Sequence, residues 1–205
     1  TILFGSTGQV GKHLSGKAGM LAVNRSEVNL ENPLNCYNKI IDCKPDLVIN
    51  TAGFTAVDIA EGKKWVANAV NALAPIEMAK AAASIGVPFI HLSSDYVFNG
   101  KGELPWRPTD PTNPINAYGR SKLAGELAIK NILPNNAMII RTSALYSEFS
   151  NNFVDTILKL GRLKNELDVV FDQIVSPTYA SDLAEAILTI IKSKKFNIDN
   201  QRTQI

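Results

Sequence analysis

The sequence predicts an α/β fold, a doubly wound parallel sheet in a single domain. Three observations lead there. Short apolar runs alternate with segments of helical spacing along the chain, a pattern that implies parallel strands joined by right-handed crossovers. The apolar runs are nearly unbroken, as strands covered on both faces require. The first run ends in a glycine triplet, Gly5, Gly8 and Gly11, that opens the first helical segment.

In order, "TILFG" reads as the first strand and "QVGKHLSGK" as a helix with room for only about two turns. "MLAVN" is a second strand and "NPLNCYNKIIDC" a second helix. "PDLVINTAG" is a third strand. "KKWVANAVNALAPIEMAKAAASIG" reads as one long helix, interrupted near Pro75 because proline lacks the N–H that a helix interior uses. "VPFIHLSS" is a fourth strand and "NPINAYGRSKLAGELAIKN" its following helix. "NAMIIRTS" is a fifth strand, "SNNFVDTILKLGRL" a helix, "LDVVFD" a sixth strand and "ASDLAEAILTIIKSK" a last helix. Ligands of such sheets bind beyond the carboxyl ends of the strands. The segments to inspect are therefore "GSTGQVG", "NTAGFTAVD", "SSDYVFNG" and "RTSALY".

The 205 residues, 45% hydrophobic and 20% charged, suit one soluble domain with a sizeable core. A net charge of +2 gives no strong field for nucleic acid or an acidic membrane. No apolar run approaches the ~20 residues of a membrane span. The basic run "KSKK", Lys192 to Lys195, reads as a solvated helix end that suits the helix dipole. Cys36 and Cys43 lie near one helix face and are expected to pack as small hydrophobes in a reduced, cytoplasmic protein. His13 and His91 are not spaced as metal ligands. The chain starts without methionine and stops where another strand would be expected, so a piece of a longer protein is the natural reading.

The glycine turn has a mechanism in this context. Gly5 makes the tight turn, Gly8 lets the backbone approach a pyrophosphate and Gly11 lets helix and sheet pack closely. The free N–H groups of the helix start then face the phosphates. The expectation is a Rossmann-like NAD(P)-binding domain over residues 1–205. The alternative is a glycine turn without a ligand. The end of the second strand offers Asn24 and Arg25 rather than a carboxylate, which favours NADP over NAD, because Arg25 can bind a 2′-phosphate. Glu27 is the rival residue that would favour NAD.

Tyr118 and Lys122 lie four apart, on one side of a helix. Beside a nicotinamide ribose, Lys122 can hold the ribose hydroxyls and its charge is expected to lower the tyrosine pKa. Tyr118 can then exchange a proton with a substrate oxygen. A third polar group is expected from the end of the fourth strand, where Ser93, Ser94 and Asp95 stand. A solvated helix face is the plain alternative for the Tyr–Lys pair.

The blocks "ILFGSTGQVG", "PDLVINTAGFTAVDIAE", "SSDYVFNGKGELPW", "PINAYGRSKLAGE", "RTSALY", "NNF" and "DQIVSPTYASDLA" resemble, in order, the dTDP-4-dehydrorhamnose reductase family of the extended short-chain dehydrogenase/reductase superfamily. The resemblance implies reduction, with NADPH or NADH, of the 4-keto group of dTDP-4-dehydro-L-rhamnose. It implies Ser94, Tyr118 and Lys122 as the catalytic set, and Gly8, Gln9 and Val10 along the pyrophosphate. Asn24, Arg25, Asn29 and Leu30 would surround the adenosine, and Gly53, Phe54 and Thr55 would follow the cofactor after the third strand. Ser94 and Asp95 would touch the sugar, as would position 144, where alanine stands in place of the family's frequent tryptophan. The family continues into a C-terminal substrate-binding part that this chain lacks. Related dehydratases need a glutamate after the aspartate; here Asp95 is followed by Tyr96, which fits simple reduction. A non-catalytic NADP-binding subunit, similar to the β subunit of methionine adenosyltransferase, is the reading from a different class. A homo-oligomer is compatible with either.

Overall fold

The structure, a computed structural model, describes residues 1–102 and 104–193. Its order is β1 (Ile2–Phe4), α1 (Gln9–Ser15), β2 (Leu21–Val23), α2 (Pro33–Cys43), β3 (Val48–Asn50), α3 (Val57–Gly62), α4 (Lys64–Asn68) and, after a π-helical turn at Ala69–Leu73, α5 (Ala74–Ser84). Then come β4 (Phe89–Ser94), a 3₁₀ turn at Asp95–Val97, α6 (Ala117–Ile132), β5 (Ala137–Thr142), β6 (Leu145–Tyr146), α7 (Phe153–Gly161), β7 (Thr178–Tyr179) and α8 (Ala180–Lys192).

The central sheet is parallel throughout, in the order β2-β1-β3-β4-β5. Side chains alternate across it, so each strand feeds two cores. Phe4, Val48 and Phe89 face a layer made with Ile40 of α2, Met78 of α5 and Ile129 of α6. Leu3, Ile49 and Ile90 face the other, made with Leu14 of α1 and Ile187 of α8. This is the doubly wound α/β architecture the alternation predicts. The chain leaves β1 toward β2 on one side and returns to β3 on the other. The crevice therefore opens at the carboxyl ends of β1 and β3.

Local details follow from the residues. Pro33 sits in the first turn of α2, where its missing N–H costs nothing. Cys36 is buried in the first core and Cys43 packs at its margin, as small hydrophobes; burial pushes the Cys36 thiol up to about 12. The first helix is as short as expected. Among the described residues no helix is long and apolar enough to cross a membrane.

The long helix is interrupted near Pro75 as expected, by the wide π-helical turn at Ala69–Leu73; the backbone stays helical through Ala74, and Pro75, without an N–H to donate, follows directly. One expectation needs correction. The expected sixth strand, "LDVVFD", does not form. Val169, Val170 and Phe171 are exposed, and the second, two-stranded sheet pairs β6 with β7 instead. Strand propensity without a partner ladder does not make a strand. Of the basic run, Lys192 ends α8 as expected, whereas Lys194 and Lys195 lie outside the described residues.

Candidate active site

Backbone crowding shapes the glycine turn. Gly5 has φ +86°, and a Cβ there would lie 2.5 Å from the Ala52 nitrogen. A Cβ on Gly11 would lie 2.0 Å from the Gly5 carbonyl oxygen. Both positions exclude a side chain, which is the close helix–turn packing the triplet predicts. Gly8 is exposed, and its N–H donates to the Gly5 carbonyl at 3.0 Å. Val10 turns into the core. The side chain of Gln9 points away from the turn: its Nε2 donates to Leu145 O at 3.2 Å and its Oε1 accepts from Ser147 Oγ at 2.9 Å. Only the backbone of Gln9 is left to face a phosphate.

At the end of β2, Asn24 Oδ1 accepts from the backbone N–H of Ser26 at 2.9 Å, and Glu27 Oε2 accepts from the Asn24 N–H at 3.0 Å. Glu27 is thereby turned onto the backbone. Arg25 is exposed and paired with Glu31. Asn29 Oδ1 accepts from Glu31 N at 3.1 Å, and Leu30 is buried in the core layer under α2. Arg25 is an exposed cation of this rim, so the donor set fits a 2′-phosphate once Arg25 trades its partner.

A residue the spacing arguments missed organises the next layer. Asn71, fully buried in the π-helical turn, accepts from Phe54 N at 2.8 Å and donates to Phe54 O at 3.0 Å and Ser121 Oγ at 3.0 Å. Ser121 Oγ in turn donates to Tyr118 O at 2.7 Å. Asn71 thus pins the loop after β3, with exposed Gly53 and Thr55, to the helix that carries Tyr118. Its signal was partly legible: the apolar run "ANAVNALAP" holds two asparagines, Asn68 and Asn71, and one that is buried needs partners for its polar atoms; Asn68 is the exposed one.

Helix α6 is held very close. Asn116 caps it, its Oδ1 accepting from Gly119 N at 2.7 Å. A Cβ on Gly119 would lie 2.1 Å from Tyr96 O, and one on Gly125 would lie 2.4 Å from Asn71 O. These two glycines let α6 press against the 3₁₀ turn and the π-helical turn. Tyr118 and Lys122 are buried as a result, 8% and 4% exposed. Lys122 Nζ donates to Leu92 O at 2.7 Å and lies near Gly53. Burial lowers the Lys122 ammonium to about 8, with Glu126 pulling it back up.

Tyr118 departs from expectation. Its phenol is pushed up to about 12 by burial, and Asp95 and Tyr96 add to the rise, while a hydrogen bond with Ser94 opposes it. Desolvation is the largest of these causes, and what opposes it is the Ser94 hydrogen bond rather than the lysine. The consequence is a tyrosine that stays protonated, which is the form a proton donor needs. Ser94 Oγ donates to Asp95 Oδ1 at 3.0 Å, and Ser143 Oγ donates to Asp95 Oδ2 at 2.5 Å. Ser93 points to the opposite face and its hydroxyl is buried without a partner. His91 is no base. It is fully buried, and burial with the Lys122 charge holds it neutral. Asn50 spends its carbonyl on Ala52 N, so its amide faces His91 Nδ1 at 3.1 Å.

Beyond β4 and β5 opens a cavity of about 940 Å³, lined by Asp95, Tyr96, Phe98, Trp106, Arg141 and Ser143 among others. Ala144 stands just past Ser143, exposed, with φ +42°, a left-handed conformation that costs an alanine about 1–2 kcal/mol.

A glycine turn at the sheet's switch point, beside a buried Tyr–Lys pair with a strand-end serine, defines the class: a Rossmann-like NAD(P)-binding fold. The description of the family model that matches residues 1–203 is "RmlD substrate binding domain". The chain is 41% identical to a dTDP-4-dehydrorhamnose reductase of Sinorhizobium fredii, over 92% of this chain and 64% of that one. It is 39% identical to the spore coat polysaccharide biosynthesis protein SpsK of Bacillus subtilis, over 92% and 68%. Among solved structures, a dTDP-4-dehydrorhamnose reductase of Clostridium acetobutylicum superposes with a TM-score of 0.88 at 37% identity, over 95% and 70%. That of Bacillus anthracis, solved in complex with NADP, gives 0.87 at 34%, over 94% and 70%. The chain belongs to the RmlD family. It spans about two thirds of the length of these relatives.

Proposed function

We propose that this chain forms the cofactor-binding and catalytic part of a sugar-nucleotide reductase. Its reaction is NADPH-dependent reduction of the 4-keto group of dTDP-4-dehydro-L-rhamnose to dTDP-L-rhamnose. The observation that carries it is the burial of Tyr118, hydrogen-bonded to Ser94 and one helical turn from Lys122, next to Asp95 and Tyr96, which line a cavity of about 940 Å³. The relatives' names supply the sugar, and the Bacillus anthracis relative supplies NADP.

In this reading the Gly5–Gly11 turn holds the pyrophosphate through its backbone, and Arg25 takes the 2′-phosphate from its partner Glu31. NADH serves less well. The loop Gly53–Thr55 runs along the cofactor. The bound nicotinamide supplies a hydride. Lys122 binds the ribose hydroxyls with donors that its protonated form provides. Tyr118 gives its proton to the carbonyl oxygen of the substrate, contributing roughly 10²–10⁴-fold. Ser94 hydrogen-bonds the same oxygen, and Asp95, fixed by Ser143, meets the sugar hydroxyls. Cys36 and Cys43, both free thiols, suit a cytoplasmic setting.

The test is to mix the protein with NADPH and dTDP-4-dehydro-L-rhamnose and follow the loss of NADPH absorbance, with dTDP-L-rhamnose identified as product. Cofactor binding with no turnover and a co-purifying enzyme would support the regulatory-subunit reading instead.

A further inference from the structure

One buried group acts on the chemistry above only through the charge of Lys122. Glu126, on α6 one turn past Lys122, is fully buried and bound in bidentate fashion by Arg141 of β5. Arg141 Nε reaches Oε1 at 2.9 Å and Nη2 reaches Oε2 at 2.6 Å. The third edge of the guanidinium is also occupied, Nη1 donating to Pro108 O at 3.1 Å. Its flat face covers the Phe98 ring at 4.9 Å, and Phe98 stacks on Trp106 with centroids 4.5 Å apart and planes 4° from parallel.

The sequence positions matter. Phe98, Trp106 and Pro108 come from the segment between β4 and α6 and line the cavity. Glu126 comes from the helix that carries Tyr118 and Lys122. One guanidinium therefore joins the cavity wall to the catalytic helix by four directed contacts. A planar, always charged group with donors on several edges and a stacking face suits that task, and lysine does not. A buried ion pair is a poor device for stability alone, since apolar residues of similar volume serve as well.

We infer that Arg141 and Glu126 are positioning residues, a strut that sets the Phe98–Trp106 wall of the cavity at a fixed distance from Tyr118 and so orients the sugar nucleotide rather than the cofactor. The inference rests on the reading of that cavity as the substrate site. Neither residue carries the transferred proton; Glu126 acts through the helix it holds, and Arg141, itself part of the cavity lining, through the wall it fixes.

Removing Arg141 alone would leave Glu126 buried and unpaired, which itself weakens the fold. The test uses R141M/E126M, which keeps the volume and removes both charges, alongside R141K. All are made in the W65F background, so that Trp106 is the sole tryptophan. Four quantities are read: acrylamide quenching of Trp106, NADPH affinity, and KM and kcat for dTDP-4-dehydro-L-rhamnose. In R141M/E126M the strut predicts stronger quenching, sugar KM raised about tenfold or more by the displaced wall, and, at a pH of about 6 where Lys122 stays protonated without the pull of Glu126, NADPH affinity within about twofold of the parent, as for an independent site. R141K, which keeps the charge but not the fork, falls between. Unchanged quenching in R141M/E126M overturns the strut, and so does a matching loss of NADPH affinity, which marks general loosening. A parent that binds NADPH but reduces no sugar nucleotide sinks the functional reading instead; the quenching comparison then still decides whether the strut exists.

Discussion

The catalytic helix and the stretch from β6 to β7 are built in opposite ways. Around α6, backbone meets backbone: two glycines admit carbonyls that a single methyl group would displace, and Asn71, Ser121 and Glu126 have partners at their polar atoms. Around α7, apolar side chains face outward. Phe153 and Leu158 are exposed, no residue of α7 is buried, and Phe171 is 95% exposed. The first region fixes Tyr118 and Lys122 in a buried setting. The second has little packing of its own. In the proposed reaction the proton donor therefore rests on close packing, while residues of the looser stretch, Gln173 and Ile174 among them, line the cavity.

The largest test of this contrast is Tyr118→Phe. It removes one hydroxyl from the packed region, so folding and cofactor affinity should stay while turnover falls roughly 10²–10⁴-fold. Full turnover in that variant, measured as NADPH oxidation, would end the mechanism. A step smaller is a matched pair of stability measurements. Gly125→Ala forces a Cβ against Asn71 O and should cost about 1–3 kcal/mol in urea unfolding. Leu158→Ala, on the exposed face of α7, should stay within about 0.5 kcal/mol. Equal costs would erase the contrast.

Next is the effect of Arg25→Ala at the exposed cofactor rim. NADPH should weaken about tenfold, because one charge-assisted contact is lost, while NADH barely changes. Equal losses for both cofactors would remove Arg25 from the 2′-phosphate site.

The smallest effect is a pH dependence. Burial places Lys122 at about 8, below its unfolded value of 10.5. The folded state therefore favours the neutral amine, and the stability contribution of Lys122 grows as pH rises from about 8 to 10.5. Function runs the other way, since the ribose-binding ammonium is lost over the same window. NADPH affinity should decline above pH about 8, and Lys122→Met should flatten that decline. A profile of the same shape in Lys122→Met would assign it to another group.

Much of the frame was legible in the residues. The alternation of apolar runs specified the parallel sheet, because covered strands and their crossover helices leave distinct periods. Gly5 and Gly11 were legible because no other residue fits where the turn meets the sheet. The Tyr118–Lys122 spacing was legible because a helix places such residues on one side. "LDVVFD" misled for a physical reason: its composition suits a strand, but no ladder pairs with it among the described residues.

What the sequence determined by itself was therefore local: which segments are strands or helices, where glycine is compulsory, and which tyrosine has a lysine one turn away. Only the tertiary structure decided the environment of those groups. It set Asn71 against the loop after β3 and joined Arg141 to Glu126, 15 residues earlier. It also raised the Tyr118 phenol to about 12 where the lysine alone suggested a fall. The reason is that burial and pairing depend on what distant segments bring to a site, and desolvation, which acts only once they have closed around it, outweighs the effect of any one neighbour in sequence.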